Sequence, residues 1–187
     1  VLPANRDGVV VIYPEFYESV YKTKQGTRVF FRPVKFTDER MLQELYYSLS
    51  EDDRILRFFA PRKSFSHQQV QSGVVVDYEE VMGIVGLVGE EPNQKIIAAG
   101  SYSLNRNTNI AEIAFTVHDK YRNQGLTRFL MTQLVLIAKE KGIKGFNGEV
   151  LPNNKSMLHI LPSLPYSVQF HKYVGEVSFE FSFTNKE

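Results

Sequence analysis

Ala111-Glu112-Ile113-Ala114-Phe115-Thr116-Val117, followed by Tyr121-Arg122-Asn123-Gln124-Gly125-Leu126-Thr127, is the stretch on which the reading of this 187-residue chain turns. In its first half Ala111, Ile113, Phe115 and Val117 share one face of an extended chain and Glu112, Ala114 and Thr116 the other, because successive strand side chains point to opposite sides. From residue 125 the period becomes helical, with Leu126, Phe129, Leu130, Gln133, Leu134, Ile137 and Ala138 on one stripe that ends at Gly142. A helix entered through a glycine-containing loop presents unpaired N–H groups and a positive dipole end, a geometry that suits phosphate or pyrophosphate. Arg122 would add a positive charge to the same pocket. Alone, a polar turn with one glycine before a helix is more often structural than ligand-binding.

Upstream, residues 81–88 and 95–104 read as strands around a turn at 89–93, and with 111–117 they make an antiparallel meander. Residues 27–32 form an earlier strand, after the Gln25-Gly26 turn and before Pro33. Thr37, Asp38 and Glu39 start a helix whose apolar face is Met41, Leu42, Leu45, Tyr46 and Leu49. Ser50 with Asp53, and Ser66 with Gln69, have capping-box spacing and open two further helices, the first running to Pro61. Downstream come a strand at 144–151, a short helix at 154–161 cut by Pro162, and a strand pair at 167–171 and 176–183 that completes the sheet. This order predicts an α+β (mixed α/β) fold with helices flanking a mostly antiparallel sheet. Residues 1–26, with a β-branched run at 9–12 and no clean period over 15–24, read as a lead-in or linker to a domain over 27–187. A chain that starts at Val1 reads as a piece of a longer parent polypeptide.

The 22 Lys and Arg nearly balance the 21 Asp and Glu, so no basic nucleic-acid footprint is present. Hydrophobic residues at 43% are enough to bury a core, and the length fits one domain. Without cysteine there is no disulfide framework, thiolate nucleophile or Cys-ligated metal site, and His67, His118 and His171 have no metal-binding spacing. No apolar run approaches the ~20 residues needed to span a bilayer, and no signal peptide opens the chain, so a cytoplasmic location is expected. Gly-x-Ser-x-Gly and P-loop fingerprints are absent.

Arg122-x-x-Gly125-x-Thr127, after a strand that delivers a Glu, resembles motif A of the GNAT acetyltransferases, Arg/Gln-x-x-Gly-x-Gly/Ala. The resemblance extends over roughly residues 27–183: the Arg32-Pro33 strand end, Leu56-Arg57-Phe58-Phe59, the meander, and Val150-Leu151-Pro152-Asn153-Asn154 leading into Met157. Within the superfamily the arrangement resembles the Pat-like protein lysine acetyltransferase domains that bacteria fuse to acyl-CoA-handling enzymes. It implies acetyl-CoA as co-substrate on a splayed sheet, with pantetheine along Phe115, Thr116 and Val117. It also implies a pyrophosphate cradled by Arg122, Asn123, Gln124, Gly125, Leu126 and Thr127, and a part for Asn154. The partners implied are a protein lysine or small amine as acceptor and a fused acyl-CoA enzyme domain, with no metal, nucleic acid or membrane.

The resemblance places Glu112 as general base, since an ammonium with a reference pKa of about 10.4 must lose a proton before attack. Glu149 is the reserve base. The tyrosine acid that many members carry seven residues after the Asn falls on Leu161, leaving Tyr166 and His159 as substitutes, of which Tyr166 is expected to pack and His159 to lie on the helix surface. Thr127 and Pro165 also depart from the pattern. These departures keep open a catalytically weak acetyl-CoA-binding module. A small-amine acetyltransferase would need an acidic acceptor pocket, for which Asp52, Asp53, Asp77, Glu79 and Glu80 are the candidates.

Overall fold

The meander and the helices predicted around it are present in the structure, a computed structural model that describes residues 11–184. In chain order the elements are β1 (Ser19–Lys22), β2 (Arg28–Pro33), α1 (Glu39–Ser48), α2 (Glu51–Phe58), α3 (His67–Gln71), β3 (Val81–Val88), β4 (Lys95–Asn105) and β5 (Ile110–Val117). They continue with α4 (Leu126–Glu140), β6 (Gly145–Val150), α5 (Lys155–Ile160), β7 (Gln169–Tyr173) and β8 (Glu176–Ser182). The strands form one sheet in the order β1-β2-β3-β4-β5-β6-β8-β7. Every neighbouring pair is antiparallel except β5 and β6.

Alternation along the strands gives the sheet two buried faces. Met82, Ala98, Tyr102, Ala111 and Ile113 meet Leu126, Leu130, Leu134 and Ile137 of α4. On the other face Val85, Leu87 and Ile96 meet Leu42 and Leu45 of α1 and Val70 of α3. Each fully buried aliphatic side chain contributes about 1.5–3 kcal/mol, so both helical layers are anchored by hydrophobic burial. Gly100 allows the α4 layer to close, because a Cβ there would lie 3.0 Å from the Phe115 ring.

Two sheet halves meet where β5 and β6 pair over only Ile110–Gly145, Ala111–Phe146 and Glu112–Asn147. The C-terminal half has its own aromatic packing, with Tyr166 stacked on Phe181 at 5.5 Å and Phe146 edge-on to Phe183 at 4.9 Å. The closing strands therefore complete the sheet. Tyr166 is expended in this stack and Leu161 is wholly buried.

Two expectations change. The predicted lead-in contains β1, which pairs antiparallel with β2 through the turn closed by Thr23 N–H to Thr27 O and Gly26 N–H to Thr23 O. As an edge strand only half packed on one face, β1 lacks the apolar alternation that reveals β2. Val9 and Val10 of the β-branched run lie outside the described residues, and Ile12 is exposed. The first helix begins not at a Thr37 cap but after a 3-10 turn, Phe36–Asp38. There the buried Asp38 carboxylate accepts from Arg32 at 2.7 and 2.8 Å and from the Lys35 N–H at 2.7 Å. Ser50 and Ser66 cap α2 and α3 as their spacing predicts.

Candidate active site

Beyond Glu112 and Asn147 the β5–β6 ladder stops, so residues 115–117 keep strand partners on β4 and have none on β6. A cleft of about 750 Å³ occupies this opening. Its walls include Phe115, Thr116 and Val117 of β5, the loop and first turn Arg122, Asn123, Gly125, Leu126 and Thr127, and Asn154. Nine of the ten residues implied for the co-substrate are thus brought together. The opening α4 turn has no side-chain cap, because Gly125 at the N-cap has no side chain to supply one. The N–H groups of Leu126, Thr127 and Arg128 precede the first α-helical bond, Phe129 N–H to Gly125 O at 3.0 Å.

Gly125 is required twice over. Its φ of +89° lies in the left-handed region, and a Cβ there would run into the Tyr21 hydroxyl. Tyr21 donates to the Gln124 carbonyl at 3.3 Å and its ring packs on Phe129 of α4 at 4.7 Å, so β1 braces the loop.

Two loop residues behave differently from their expected roles. Gln124 is buried and does not line the cleft; its Nε2 donates to Lys120 O at 3.0 Å, while its Oε1 has no hydrogen-bond partner among the described residues. Arg122 is not a free charge either, since it is ion-paired with Asp53 of α2 and lies 3.4 Å from Asp119. Burial works to raise the Asp53 carboxyl, but hydrogen bonds with Arg122, Ser50 and Asp119 outweigh it and hold it below its ordinary value. Asp119 is raised, by burial first and then by its hydrogen bond to Asp53 and that group's charge. Lys24, Arg57, Arg128 and Lys155 also line the cleft and leave it positive charge; no local motif marks Lys24, Arg128 or Lys155.

A second cavity, about 300 Å³, lies between α1–α3 and the sheet. Ala99, Ser101, Ala114 and Thr116 line it from β4 and β5, and Tyr46, Arg57, Phe58, Arg62, Gln69 and Ser72 from the helices and their connections. The two cavities share Arg57 and Thr116, joined by a bond from Arg57 Nε to Thr116 Oγ1 at 3.0 Å. Glu112 lines neither. It is exposed on the strand face of Ala114 and Thr116, opposite Ser103, where the β5–β6 ladder ends. Glu149 is exposed on β6 opposite Ser178.

The acids expected to form an acceptor pocket are dispersed. Asp53 holds Arg122, Asp77 caps the N–H groups of Glu79, Glu80 and Val81, Glu80 pairs with Arg106, Glu79 pairs with Lys141, and Asp52 is exposed. His159 lines the cleft.

Residues 40–161 match the model of the Acetyltransferase (GNAT) family. Acetyltransferase PA5475 of Pseudomonas aeruginosa is 25% identical over 141 residues, 75% of this chain and 76% of that protein. Acetyltransferase Pat of Mycolicibacterium smegmatis is 41% identical over 58 residues, 31% of this chain and only 17% of that protein. The crystal structure of the GNAT domain of S. lividans PAT superposes with a TM-score of 0.83 at 26% identity, covering 92% of this chain and 100% of that one.

Proposed function

The chain belongs to the GNAT family and is an acetyltransferase, and from that premise we propose that it moves the acetyl group of acetyl-CoA to a protein lysine in the cleft between β5 and α4. The observation that carries this reading is the end of the β5–β6 ladder immediately beside an uncapped helix N-terminus. The edge of residues 115–117 that has no β6 partner offers backbone hydrogen bonds to the pantetheine amides. The free N–H groups of Leu126, Thr127 and Arg128 face the pyrophosphate, and Gly125 leaves it room. Lys24, Arg128 and Lys155 supply the positive charge that Arg122, committed to Asp53, does not. A protein lysine as acceptor follows the resemblance of the overall arrangement to Pat-like domains.

Glu112 serves as general base. The amine nitrogen attacks the thioester carbon as the carbon–sulfur bond breaks, and the proton it sheds passes to the Glu112 carboxylate. Because Glu112 is exposed at the end of the β5–β6 ladder and lines neither cavity, the transfer runs through water. A thiol of ordinary pKa near 8.5 departs with little help, which accommodates a buried Leu161 and a stacked Tyr166 in place of an acid. Asn154 holds the start of α5 against the cleft by accepting from Met157 N–H at 3.2 Å.

The test is a calorimetric titration of acetyl-CoA into the chain, paired with Gly125→Glu. Binding tighter than ~100 µM, about −5.5 kcal/mol, abolished in the variant, supports the reading. Silence up to ~1 mM overturns it.

A further inference from the structure

The cavity on the α1–α3 side of the sheet carries charge that acetylation of a lysine does not use. Among the described residues, Arg57 and Arg62 are its only charged lining residues. Among the described residues neither guanidinium lies in an ion pair. Both instead pack on the Phe58 ring, at 5.0 and 5.5 Å from its centroid. Arg57 gives its Nε proton to a neutral hydroxyl, that of Thr116. Arg62 Nε is buried with no hydrogen-bond partner among the described residues. The nearest acid on the same helix that is buried, Asp53, is committed to Arg122.

A guanidinium is a planar fork whose donors match the two oxygens of a carboxylate. Two such forks without counter-ions, set over an aromatic ring in a part-enclosed space, make a local positive potential that water screens poorly. The Arg57 charge is felt inside the cavity: burial raises the Tyr46 phenol and Arg57 works against that rise. Gln69 and Ser72 add neutral polar groups to the wall. The floor, Ala114 and Thr116, is the face of β5 that also carries Glu112, so an anion held here sits on the same side of the sheet as the base.

We propose that this cavity binds a carboxylate of the acceptor, and so selects a lysine that has an Asp or Glu side chain beside it in its polypeptide. This rests on the acetyltransferase reading above. The α-carboxylate of a free amino acid offers the same chemistry, and about 300 Å³ admits either source.

The experiment has two arms on the full chain, with circular dichroism reporting that each variant folds. In the first, acetyl transfer from acetyl-CoA is followed to matched peptides whose single lysine is flanked by Glu or by Gln, and to free glutamate. The expected result is a kcat/KM preference of about tenfold or more for the Glu-flanked peptide, the effect of one charge-assisted contact. That ratio falls toward unity in Arg62→Gln and to an intermediate value in Arg62→Lys, which keeps the charge without the fork. In the second arm glutarate is titrated into the chain without acetyl-CoA, and arginine side-chain NMR signals are followed. They shift on saturable binding in the wild type and do not in Arg62→Gln. Equal use of both peptides together with no glutarate response overturns the inference while leaving the acetyltransferase reading intact. Transfer to glutamate with no preference between peptides overturns the acidic-lysine acceptor and assigns the carboxylate to a small molecule. Failure of all acetyl transfer and of acetyl-CoA binding sinks the enzymatic reading instead, and the glutarate arm then judges the cavity by itself.

Discussion

The two cavities that meet at Arg57 and Thr116 are built in opposite ways. The cleft along β5 is shaped by two backbone features, a strand edge whose ladder stops and the first turn of a helix with no cap. The cavity under α1–α3 is made of side chains drawn from both sheet and helices, and its polarity rests on two arginines without counter-ions. Backbone recognition suits a reactant whose polar groups are amides and phosphates, and it tolerates substitution as long as a few conformations are kept. Side-chain recognition can be rewritten one residue at a time, which suits the part of the reaction that differs between partners. The single bond from Arg57 to Thr116 is the seam between them.

The largest break in this comparison comes from the group that belongs to neither wall. Glu112→Gln is expected to lower kcat by about 10²- to 10³-fold at neutral pH, within the range of a lost general base. Steady-state kinetics beside calorimetry should find acetyl-CoA affinity within a factor of two. A parallel loss of affinity would place Glu112 in the cleft and contradict the division.

Next in size is the backbone wall. Gly125→Ala is expected to cost about 1–2 kcal/mol of stability for a left-handed non-glycine residue, and to weaken acetyl-CoA binding besides. Because the added Cβ would meet the Tyr21 hydroxyl, Gly125→Ala in a Tyr21→Phe background should recover part of the binding and none of the backbone cost. Thermal unfolding and titration of the four proteins in the cycle separate the two contributions.

The seam itself comes third. Thr116→Val keeps shape and removes the oxygen that Arg57 Nε meets. Acceptor KM should rise about three- to tenfold, and acetyl-CoA affinity should change less, since residue 116 is proposed to serve the cleft through its backbone.

The smallest effect is electrostatic and sharpens the role of Arg122. Asp53, held below its ordinary value, adds stability above the unfolded carboxyl pKa and loses it as pH falls through the folded one. Asp119, raised, does the reverse: its contribution is whole below the unfolded pKa and is lost as pH rises through the folded one. Asp53→Asn should therefore destabilise by about 1 kcal/mol near neutral pH, kept small because Arg122 is half exposed, with the deficit fading below about pH 4. Asp119→Asn should stabilise slightly near neutral pH and lose that gain as pH falls through the raised Asp119 value towards the ordinary carboxyl range, above the window in which the Asp53 deficit fades. Urea unfolding between pH 3 and 7 checks both signs.

Much of this was legible along the chain. The alternation from Ala111 to Val117, the period change at Gly125 and the serine caps of α2 and α3 are local signals, and the structure has each where its spacing puts it. β1 was not legible, because an edge strand buried on half of one face leaves little alternation to detect. Nor were the partners of charged groups: Arg122 reads as free and is held by an acid about seventy positions earlier, while Asp77, Glu79 and Glu80 read as one cluster and go to separate tasks.

By itself, then, the sequence determined the order of elements, the antiparallel meander, the glycine-entered helix and the two faces of β5, all set by dihedral preferences and side-chain period within a few residues. Only the tertiary structure decided that Tyr21 closes over Gly125, that Gln124 turns inward, and that Arg57 and Arg62 share Phe58 with no ion pair to either among the described residues. Those outcomes depend on which distant groups share a desolvated space, and ion pairing and burial there are settled by distance in the folded molecule, which separation along the chain does not encode.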